Sequence, residues 1–213
     1  RMMRKYILDS IAYWAEEFHL DGFRFDLMGI HDVQTMNEIR SLLDTIDPSI
    51  IVLGEGWNLS TELPESEKAW QGNASKMPRI AHFNDSMRDS IKGSTFRYDE
   101  KGFISGRHRE GKTIAGNLMG KIDSSHYLGP DQVIQYVEAH DNLTLYDKLL
   151  LTNPEDSEET RIRRHTLATS MVILAQGIPF IHAGQEFLRT KSGVENSYRS
   201  PDHINLLHWR RQD

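Results

Sequence analysis

The stretch DGFRFDLMG, residues 21–29, decides how the rest of the chain is interpreted. Its apolar residues alternate with Arg24 and Asp26, turn residues stand at both ends, and helical patterns flank it, which predicts a short strand between two helices. Because successive side chains of a strand point to opposite faces, Arg24 and Asp26 share one face. Two opposite charges on one face of a sheet are costly to bury unless they pair or line a wet cleft. The pair therefore indicates either a structural ion pair or part of a functional site.

The composition is typical of a globular domain. A chain of 213 residues, 38% of them hydrophobic, can bury a sizeable core. The net charge of -6 offers no basic surface for nucleic acid, and no run of Lys or Arg suggests an anionic membrane. Cysteine is absent, which excludes disulfides, thiolate nucleophiles and cysteine-ligated zinc. We therefore expect no nucleic-acid partner, no membrane partner and no cysteine chemistry.

The compartment stays undetermined from the sequence. No apolar stretch is long enough to span a bilayer, and the first residues lack the apolar core of a signal peptide. These observations favour the cytoplasm as an expectation.

Hydrophobic periodicity predicts helices and strands in alternation through the first part of the chain. Met3, Ile7, Ile11, Trp14, Ala15 and Phe18 recur at helical spacing, which predicts an opening helix with one buried face. Asp32 can cap a second helix that ends at Asp47 and buries Val33, Met36, Ile39, Leu43 and Ile46. The apolar run at residues 50–53 is typical of a parallel strand buried on both faces.

The same pattern continues in the second part of the chain. Residues 58–78 predict a polar surface loop, and residues 93–132 a long, weakly patterned loop. The tail from residue 183 to 213 predicts further loop. Further strands are predicted at residues 80–83, 133–137 and 179–182. Further helices are predicted at residues 86–91, 145–150 and 158–176, the last with Ile162, Leu167, Met171 and Leu174 facing inward.

About five strands alternating with helices predict an α/β fold with a parallel sheet covered by helices, either an open sheet or a barrel. Asp26, Glu55, Asp85 and Asp141 each follow a different predicted strand, which is where barrel enzymes place catalytic groups. No phosphate-cradling glycine loop follows a strand, so a nucleotide-binding open sheet is disfavoured. The barrel is the preferred interpretation.

Three of these carboxylates, Asp26, Glu55 and Asp141, would repel one another at one rim, and stability alone gives no reason to gather them. Two chemistries fit: binding of a divalent metal, or cleavage of a glycosidic bond by a nucleophile and a proton donor. Trp57 offers a ring on which a sugar could stack, although a Trp is more often part of a core. His140 could donate a hydrogen bond to a hydroxyl, although a lone His is more often structural.

Three ordered motifs resemble the later signature segments of the α-amylase superfamily of glycoside hydrolases: DGFRFDLMG at 21–29, LGEGW at 53–57 and EAHDN at 138–142. The longer segments YVEAHDNLTLYDKL and GIPFIHAGQEFLRTK look like the type I pullulanase branch, which cuts α-1,6 branch links in pullulan and limit dextrins. The resemblance runs over nearly the whole chain, so it implies a debranching glycosidase with α-glucan as substrate.

The resemblance also implies a role for each motif residue. Asp26 would be the nucleophile, with Arg24 fixing its orientation, and Glu55 would be the acid/base. Asp141 would be the third catalytic carboxylate and would bind ring hydroxyls of the distorted sugar with help from His140. Retention of configuration would require the Asp26 and Glu55 carboxyl groups to sit about 5 to 5.5 Å apart.

Four residues are assigned to substrate binding, and the sequence implies no cofactor and no metal ligand. The substrate-binding residues are Arg24, Trp57, His140 and Asn142.

In the family, the Asp26 segment is the fourth strand of eight. The resemblance therefore implies that residues 1–213 are the C-terminal part of a (β/α)8 TIM-barrel domain, roughly strands four to eight, without the early strands and flanking domains. Five strands leave two unpaired edges, and exposed edges tend to pair with another copy of the chain. We expect self-association through these edges.

Two alternatives stay open. The chain could be a folded piece without catalysis that binds glucan weakly through Trp57 and His140, or the carboxylates could hold Mg²⁺ in another class of barrel enzyme. Linkage preference, chain-length specificity, calcium dependence, oligomeric state and the activity of the chain by itself are not determined by the sequence.

Overall fold

The computed structural model describes residues 2–120 and 126–209. Parts of the predicted loop 93–132 and of the predicted tail 183–213 therefore lie outside the described residues. Among the described helices, none has the length and apolar character needed to cross a membrane. The elements in chain order are α1 (Met2–Phe18), β1 (Gly22–Phe25), α2 (Val33–Ile46), β2 (Ile51–Gly54), β3 (Ile80–Phe83), α3 (Asp85–Lys92), α4 (Gly111–Leu118), β4 (Val133–Gln135), α5 (Leu145–Thr152), α6 (Glu158–Leu174), β5 (Ile178–Pro179) and α7 (Asp202–Asn205).

The chain forms two compact units, Arg1–Phe83 with Lys121–Ile134, and Asn84–Gly120 with Gln135–Asp213. In the first unit, β1 pairs with β2, β2 with β3, and β3 with the first residues of β4, always in parallel. Arg24 lies opposite Leu53 in this register. The predicted parallel sheet is confirmed here, and the residues that follow β1 and β2 emerge at the same edge of it.

The structure confirms the predicted cap and end of helix α2. The Asp32 carboxylate caps it by accepting a hydrogen bond from the Thr35 N–H at 2.6 Å, and the helix ends before Asp47. Its inner face packs in the core of the first unit, and the fully buried members of that face are Met36, Ile39 and Leu43.

Two burial predictions in this unit were wrong. The strand β2 is not buried on both faces, because Ile51 is 44% exposed while Val52 is buried. Helix α1 buries only Ile11 and Ala15 fully, whereas the predicted inward residues Met3, Trp14 and Phe18 are exposed. The Trp14 and Phe18 rings contact each other at 4.5 Å between centroids instead of entering the core.

In the second unit, helices α3, α5 and α6 were predicted within a few residues of their ends, and each begins at a capping side chain. Asn84, Thr144 and Ser157 accept a hydrogen bond from the first turn of α3, α5 and α6 respectively. Beside β5, the Phe180 N–H donates to the Gln135 carbonyl at 2.9 Å. Strands β4 and β5 are shorter than predicted.

Helix α4 was not predicted, and the buried face of α6 was assigned wrongly. Helix α4 has only eight residues and includes two glycines, so its pattern is weak. On α6, the predicted inward residues Ile162, Leu167 and Leu174 are 39%, 46% and 80% exposed. The face that is buried instead consists of Arg161, His165, Ala168 and Val172.

Gly29 allows a close approach of two main-chain segments in the first unit. A Cβ atom at Gly29 would lie 1.9 Å from the Trp57 carbonyl oxygen, whereas a Cβ at Gly116 in α4 would meet nothing within 4 Å. We expect Gly29→Ala to lower the free energy of unfolding by about 3 kcal/mol, because the backbone must shift. The matched control Gly116→Ala should raise it by about 0.5 to 1 kcal/mol. Urea unfolding measures both values, and a neutral Gly29→Ala would contradict the prediction.

His82 in β3 makes the first unit sensitive to acid. Its ring is fully buried, neither ring nitrogen has a hydrogen-bond partner among the described residues, and burial lowers its pKa from 6.5 to about 3. The unfolded chain binds a proton as the pH falls below 6.5, but the folded chain does so only near pH 3, so stability is lost across this window. Between pH 7 and pH 4, we expect this site to cost about 3 kcal/mol of unfolding free energy.

The substitution His82→Leu should remove this part of the pH dependence, measured by urea unfolding at several pH values. The exposed His203, substituted by Gln, is the control and should leave the wild-type slope unchanged. Equal slopes for wild type and His82→Leu would contradict the assignment.

Candidate active site

Arg24 joins two of the predicted catalytic carboxylates in the first unit. Its Nη1 lies 2.5 Å from Asp26 Oδ1, and its Nη2 lies 2.8 Å from Glu55 Oε1. The guanidinium carbon also lies 5.7 Å from the centre of the Phe83 ring, so a cation–π contact supports the group from a third side. One planar cation therefore fixes the directions of both carboxylates.

The two acids differ in their surroundings. The Asp26 side chain is 61% exposed, so it is accessible to a ligand. Glu55 is only 8% exposed, and its second oxygen accepts a hydrogen bond from the Leu27 N–H at 2.9 Å. Leu27 has a left-handed backbone with φ of 47°, which directs this N–H toward Glu55. A carboxylate oxygen of Asp26 lies within 4.8 Å of one of Glu55.

The segment that carries Glu55 is fixed by main-chain hydrogen bonds in the same unit. The Gly29 N–H donates to the Glu55 carbonyl at 3.1 Å, and the Gln71 N–H donates to the Gly56 carbonyl at 2.8 Å. Trp57 follows directly and is half-buried. Glu55 and Trp57 are therefore held by the β1–α2 connection and by the loop after β2.

The EAHDN residues lie in the second unit, in the segment between β4 and α5. The side chains of His140 and Asp141 are 55% and 64% exposed, and His140 Nε2 lies 3.5 Å from Asp141 Oδ1. Asn142 has a φ of 63°, a left-handed conformation that Asn tolerates better than most residues. Both His140 and Asp141 are thus accessible, and the backbone beside them takes a strained turn.

Within the first unit, the structure brings Arg24, Asp26 and Glu55 together, as the sequence predicted for Arg24 and Asp26. Asp85 follows β3, as predicted, and is the first residue of α3. Two contacts were not predicted: the hydrogen bond from Leu27 and the ion pair between Arg24 and Glu55. The ion pair between Arg24 and Glu55 follows from the strand register. Arg24 lies opposite Leu53, and Glu55, two residues after Leu53, points to the same face of the sheet.

The arrangement in the first unit suits nucleophilic and acid–base chemistry. One exposed carboxylate and one shielded carboxylate lie close together, with a cation and an N–H fixing their orientation. Such a pair can supply a nucleophile and a proton donor to one bond.

No protein-family model matches the chain. The chain is 45% identical over 217 residues to a pullulanase of Bacillus subtilis (strain 168), an alignment that covers 100% of this chain and 30% of the relative. It is 33% identical over 262 residues to the chloroplastic pullulanase 1 of Arabidopsis thaliana, covering 97% of this chain and 27% of the relative. The chain thus spans less than a third of the length of these curated relatives.

Solved structures give the same result. The chain matches a pullulanase from Anoxybacillus sp. LM18-11, complexed with maltotetraose, with a TM-score of 0.96 and 51% identity over 99% of this chain and 31% of that one. It matches pullulanase type I from Bacillus subtilis str. 168, complexed with maltose, with a TM-score of 0.94 and 44% identity over 99% of this chain and 30% of that one. The predicted partial (β/α)8 fold is confirmed. Over its whole length, the chain therefore corresponds to a fragment of the type I pullulanases of the α-amylase family, and this fragment forms part of a (β/α)8 barrel.

Proposed function

We propose that this chain carries the two catalytic carboxylates of a retaining glycoside hydrolase that cleaves α-1,6 branch links in pullulan, limit dextrins or glycogen. The observation that carries the proposal is the Asp26–Glu55 pair, whose oxygens approach within 4.8 Å while Arg24 holds both groups. Retaining glycosidases use carboxyl groups about 5 to 5.5 Å apart, whereas inverting enzymes leave about 6.5 to 9.5 Å for a water. The short separation supports retention.

In this proposal, Asp26 attacks the anomeric carbon and forms a glycosyl–enzyme bond, while Glu55 protonates the departing glycosidic oxygen. Glu55 then removes a proton from water, which attacks the same carbon and releases Asp26. The exposure of Asp26 supports its role as the attacking group. The burial of Glu55, and its hydrogen bond from Leu27, support its role as a shielded and oriented proton carrier.

We assign substrate contacts to Asp141, His140, Asn142 and Trp57. Asp141 would accept hydrogen bonds from sugar hydroxyls, His140 would donate one, and the Trp57 ring would carry a sugar face. The exposure of His140 and Asp141 supports this assignment, as do the relatives that were solved with maltotetraose and maltose. The preference for α-1,6 links rests on the similarity to pullulanases.

A divalent metal at Asp26 and Glu55 is less consistent with the geometry. The Arg24 guanidinium lies at 2.5 and 2.8 Å from these two carboxylates and already supplies the positive charge that a metal would bring. A cation placed beside Arg24 would be repelled at short distance. The glycosidase is therefore the preferred candidate over a Mg²⁺-dependent enzyme.

We further propose that residues 1–213 are the C-terminal part of a barrel domain and that copies of the isolated chain associate through strand edges. In the part of the chain that the structure describes, β1 pairs with β2 alone, so one edge of β1 presents main-chain groups to another strand. The alternative is a folded piece that binds glucan weakly and does not catalyse hydrolysis, and the activity measurements described next test it.

The substitution Glu55→Gln should lower reducing-end release from pullulan by about 10²- to 10⁴-fold, because it removes the proton donor. Asp26→Asn should lower it by a similar factor, because no nucleophile remains. The rates are measured in the complete natural polypeptide that carries these residues. The exposed Glu62, substituted by Gln, is the matched control and should keep the wild-type rate.

Three results would contradict the proposal. Equal rates for wild type and Glu55→Gln would remove Glu55 from its role. Loss of activity on addition of a chelator, restored by Mg²⁺, would favour the metal-dependent alternative. Glucan binding without hydrolysis would favour the non-catalytic alternative.

Association of the isolated 213-residue chain is measured by light scattering at several concentrations. We expect a mass above 24.6 kDa that falls on dilution. A substitution at the free edge, Gly22→Pro, should abolish association if β1 edges pair. Asp21 and Phe25 use their main-chain groups to bind β2, so the N–H of the intervening Gly22 points to the free edge, and Pro lacks the N–H that a pairing strand needs. A monomer at all concentrations would contradict the proposal.

A further inference from the structure

A set of buried charged groups holds the main chain between residues 138 and 145 in the second unit. Glu138 is 1% exposed and accepts a hydrogen bond from the Leu145 N–H at the start of α5. Glu138 Oε1 also lies 3.0 Å from His182 Nδ1, while Arg189 Nη1 lies 3.0 Å from His182 Nε2. Since the guanidinium can only donate, Nε2 accepts, and the His182 proton on Nδ1 points at Glu138. Both ends of the segment that carries His140 and Asp141 are thus fixed.

Lys191 holds the middle of this segment. Its side chain is among the largest fully buried ones in the described residues, with 1% of the residue exposed. Its Nζ lies 3.0 Å from the His140 carbonyl oxygen, 3.2 Å from Ser197 Oγ and 3.5 Å from the Glu195 carbonyl oxygen. An ammonium group has three N–H donors, and these three acceptors can use all of them.

The acceptors of the Lys191 ammonium are neutral, so no paired anion offsets the cost of burying its charge. A buried ammonium normally pairs with a carboxylate, because loss of hydration is costly. In the described ranges of the chain, Nζ donates to two main-chain carbonyls and a hydroxyl. Burial lowers the pKa of Lys191, and the charges of Asp141, Asp147 and Glu138 oppose that shift. The contacts of this ammonium therefore act on the main chain and do not pair it with an anion.

Lys191 is itself fixed to a helix. Its backbone N–H donates to Asp147 Oδ2 at 2.8 Å, and the neighbouring Thr190 hydroxyl donates to Asp147 Oδ1. Asp147 is buried in the first turn of α5, where the helix dipole favours a negative charge. Lys191 therefore connects α5 to the His140 carbonyl, because its backbone N–H binds Asp147 and its ammonium group binds that carbonyl.

We propose that Lys191 is a positioning residue: its buried ammonium holds the main chain at His140, and so sets the directions in which the His140 and Asp141 side chains meet the substrate. The effect of this role on catalysis rests on the proposed glycosidase function. Its structural part, the hold on residues 138–145, is independent of that function. Lys191 does not touch the substrate in this account, and it acts through His140 and Asp141.

The test compares Lys191→Met with a matched control, Lys148→Met, in the complete natural polypeptide. Lys148 is 2% exposed, and its Nζ donates to the carbonyls of Ser94, Arg97 and Tyr98, each at 2.9 Å. Both substitutions remove a buried ammonium that holds main-chain carbonyls, so both should lower the melting temperature. Only Lys191→Met removes the contact with His140.

The first readout does not require activity. Hydrogen–deuterium exchange should accelerate at least about threefold in a peptide that spans residues 138–145 of Lys191→Met, because local opening becomes easier. In Lys148→Met, the acceleration should fall on residues 94–98 instead. Unchanged exchange at 138–145 in Lys191→Met would overturn the proposal. Should Lys191→Met fail to fold, Lys191→Gln, which keeps an N–H donor, provides the same comparison with Lys148→Gln.

The second readout is a double-mutant cycle with Asp141→Asn on pullulan hydrolysis. Lys191→Met should lower kcat by about 10- to 100-fold in the wild-type background, the range expected when catalytic side chains move by about 1 Å. It should have little further effect in Asp141→Asn, because both changes act on one group. Lys148→Met should leave kcat nearly unchanged in both backgrounds. Independent, multiplying effects of Lys191→Met and Asp141→Asn would overturn the role in catalysis.

The two readouts separate the two proposals. If the wild-type polypeptide does not hydrolyse pullulan, the proposed function fails, and the exchange experiment still decides whether Lys191 holds the segment. If pullulan is hydrolysed but exchange at 138–145 does not respond to Lys191→Met, the positioning role fails and the proposed function stands.

Discussion

The ion pairs of Arg24 are the interaction on which the first unit's site depends. Asp26 and Glu55 carry like charges when both are ionised, and two carboxylates within 4.8 Å repel each other strongly unless a cation lies between them. Arg24 supplies that cation in planar form, with one nitrogen toward each acid. A lysine would present a single point charge and could not direct both groups. The parallel register of β1 and β2 places Arg24 where it can do this.

Local signals account for what could be predicted in the fold. The alternation in residues 21–29 gives β1, and the Asp32 cap with a regular apolar stripe gives α2, because both depend on neighbours in the sequence. The buried face of α6 could not be found this way, since two of its four members, Arg161 and His165, are polar. Arg161 is buried because it donates to the Asp156 carbonyl and lies over the Tyr146 ring, contacts that only the tertiary structure provides.

In the candidate site, too, features set by neighbours in the sequence could be predicted, and features set by tertiary contacts could not. Arg24 and Asp26 were predicted as a pair from a period of two, and the link to Glu55 follows once the strand register is known. The Leu27 N–H and the Lys191 ammonium could not be predicted. A backbone N–H acquires a role only through its conformation, here a left-handed turn, and residue 191 lies in a polar stretch whose pattern indicates a surface loop. Side chains that touch a ligand leave a signal in motifs, whereas those that hold the main chain leave almost none.

Arg24 and Lys191 have different roles, and the groups that each side chain contacts indicate its role. Arg24 faces carboxylates, so it compensates charge, and substituting it changes the electrostatics of the acids directly. Lys191 faces carbonyls and a hydroxyl, so it compensates almost no charge and instead fixes where the main chain runs. A neutral donor of the same length would satisfy fewer acceptors, and a carboxylate partner would draw the ammonium away from the His140 carbonyl. The neutral acceptors therefore suit Lys191 to positioning the main chain. Because none of them is an anion, the free-energy cost of burying the ammonium is not offset by an ion pair.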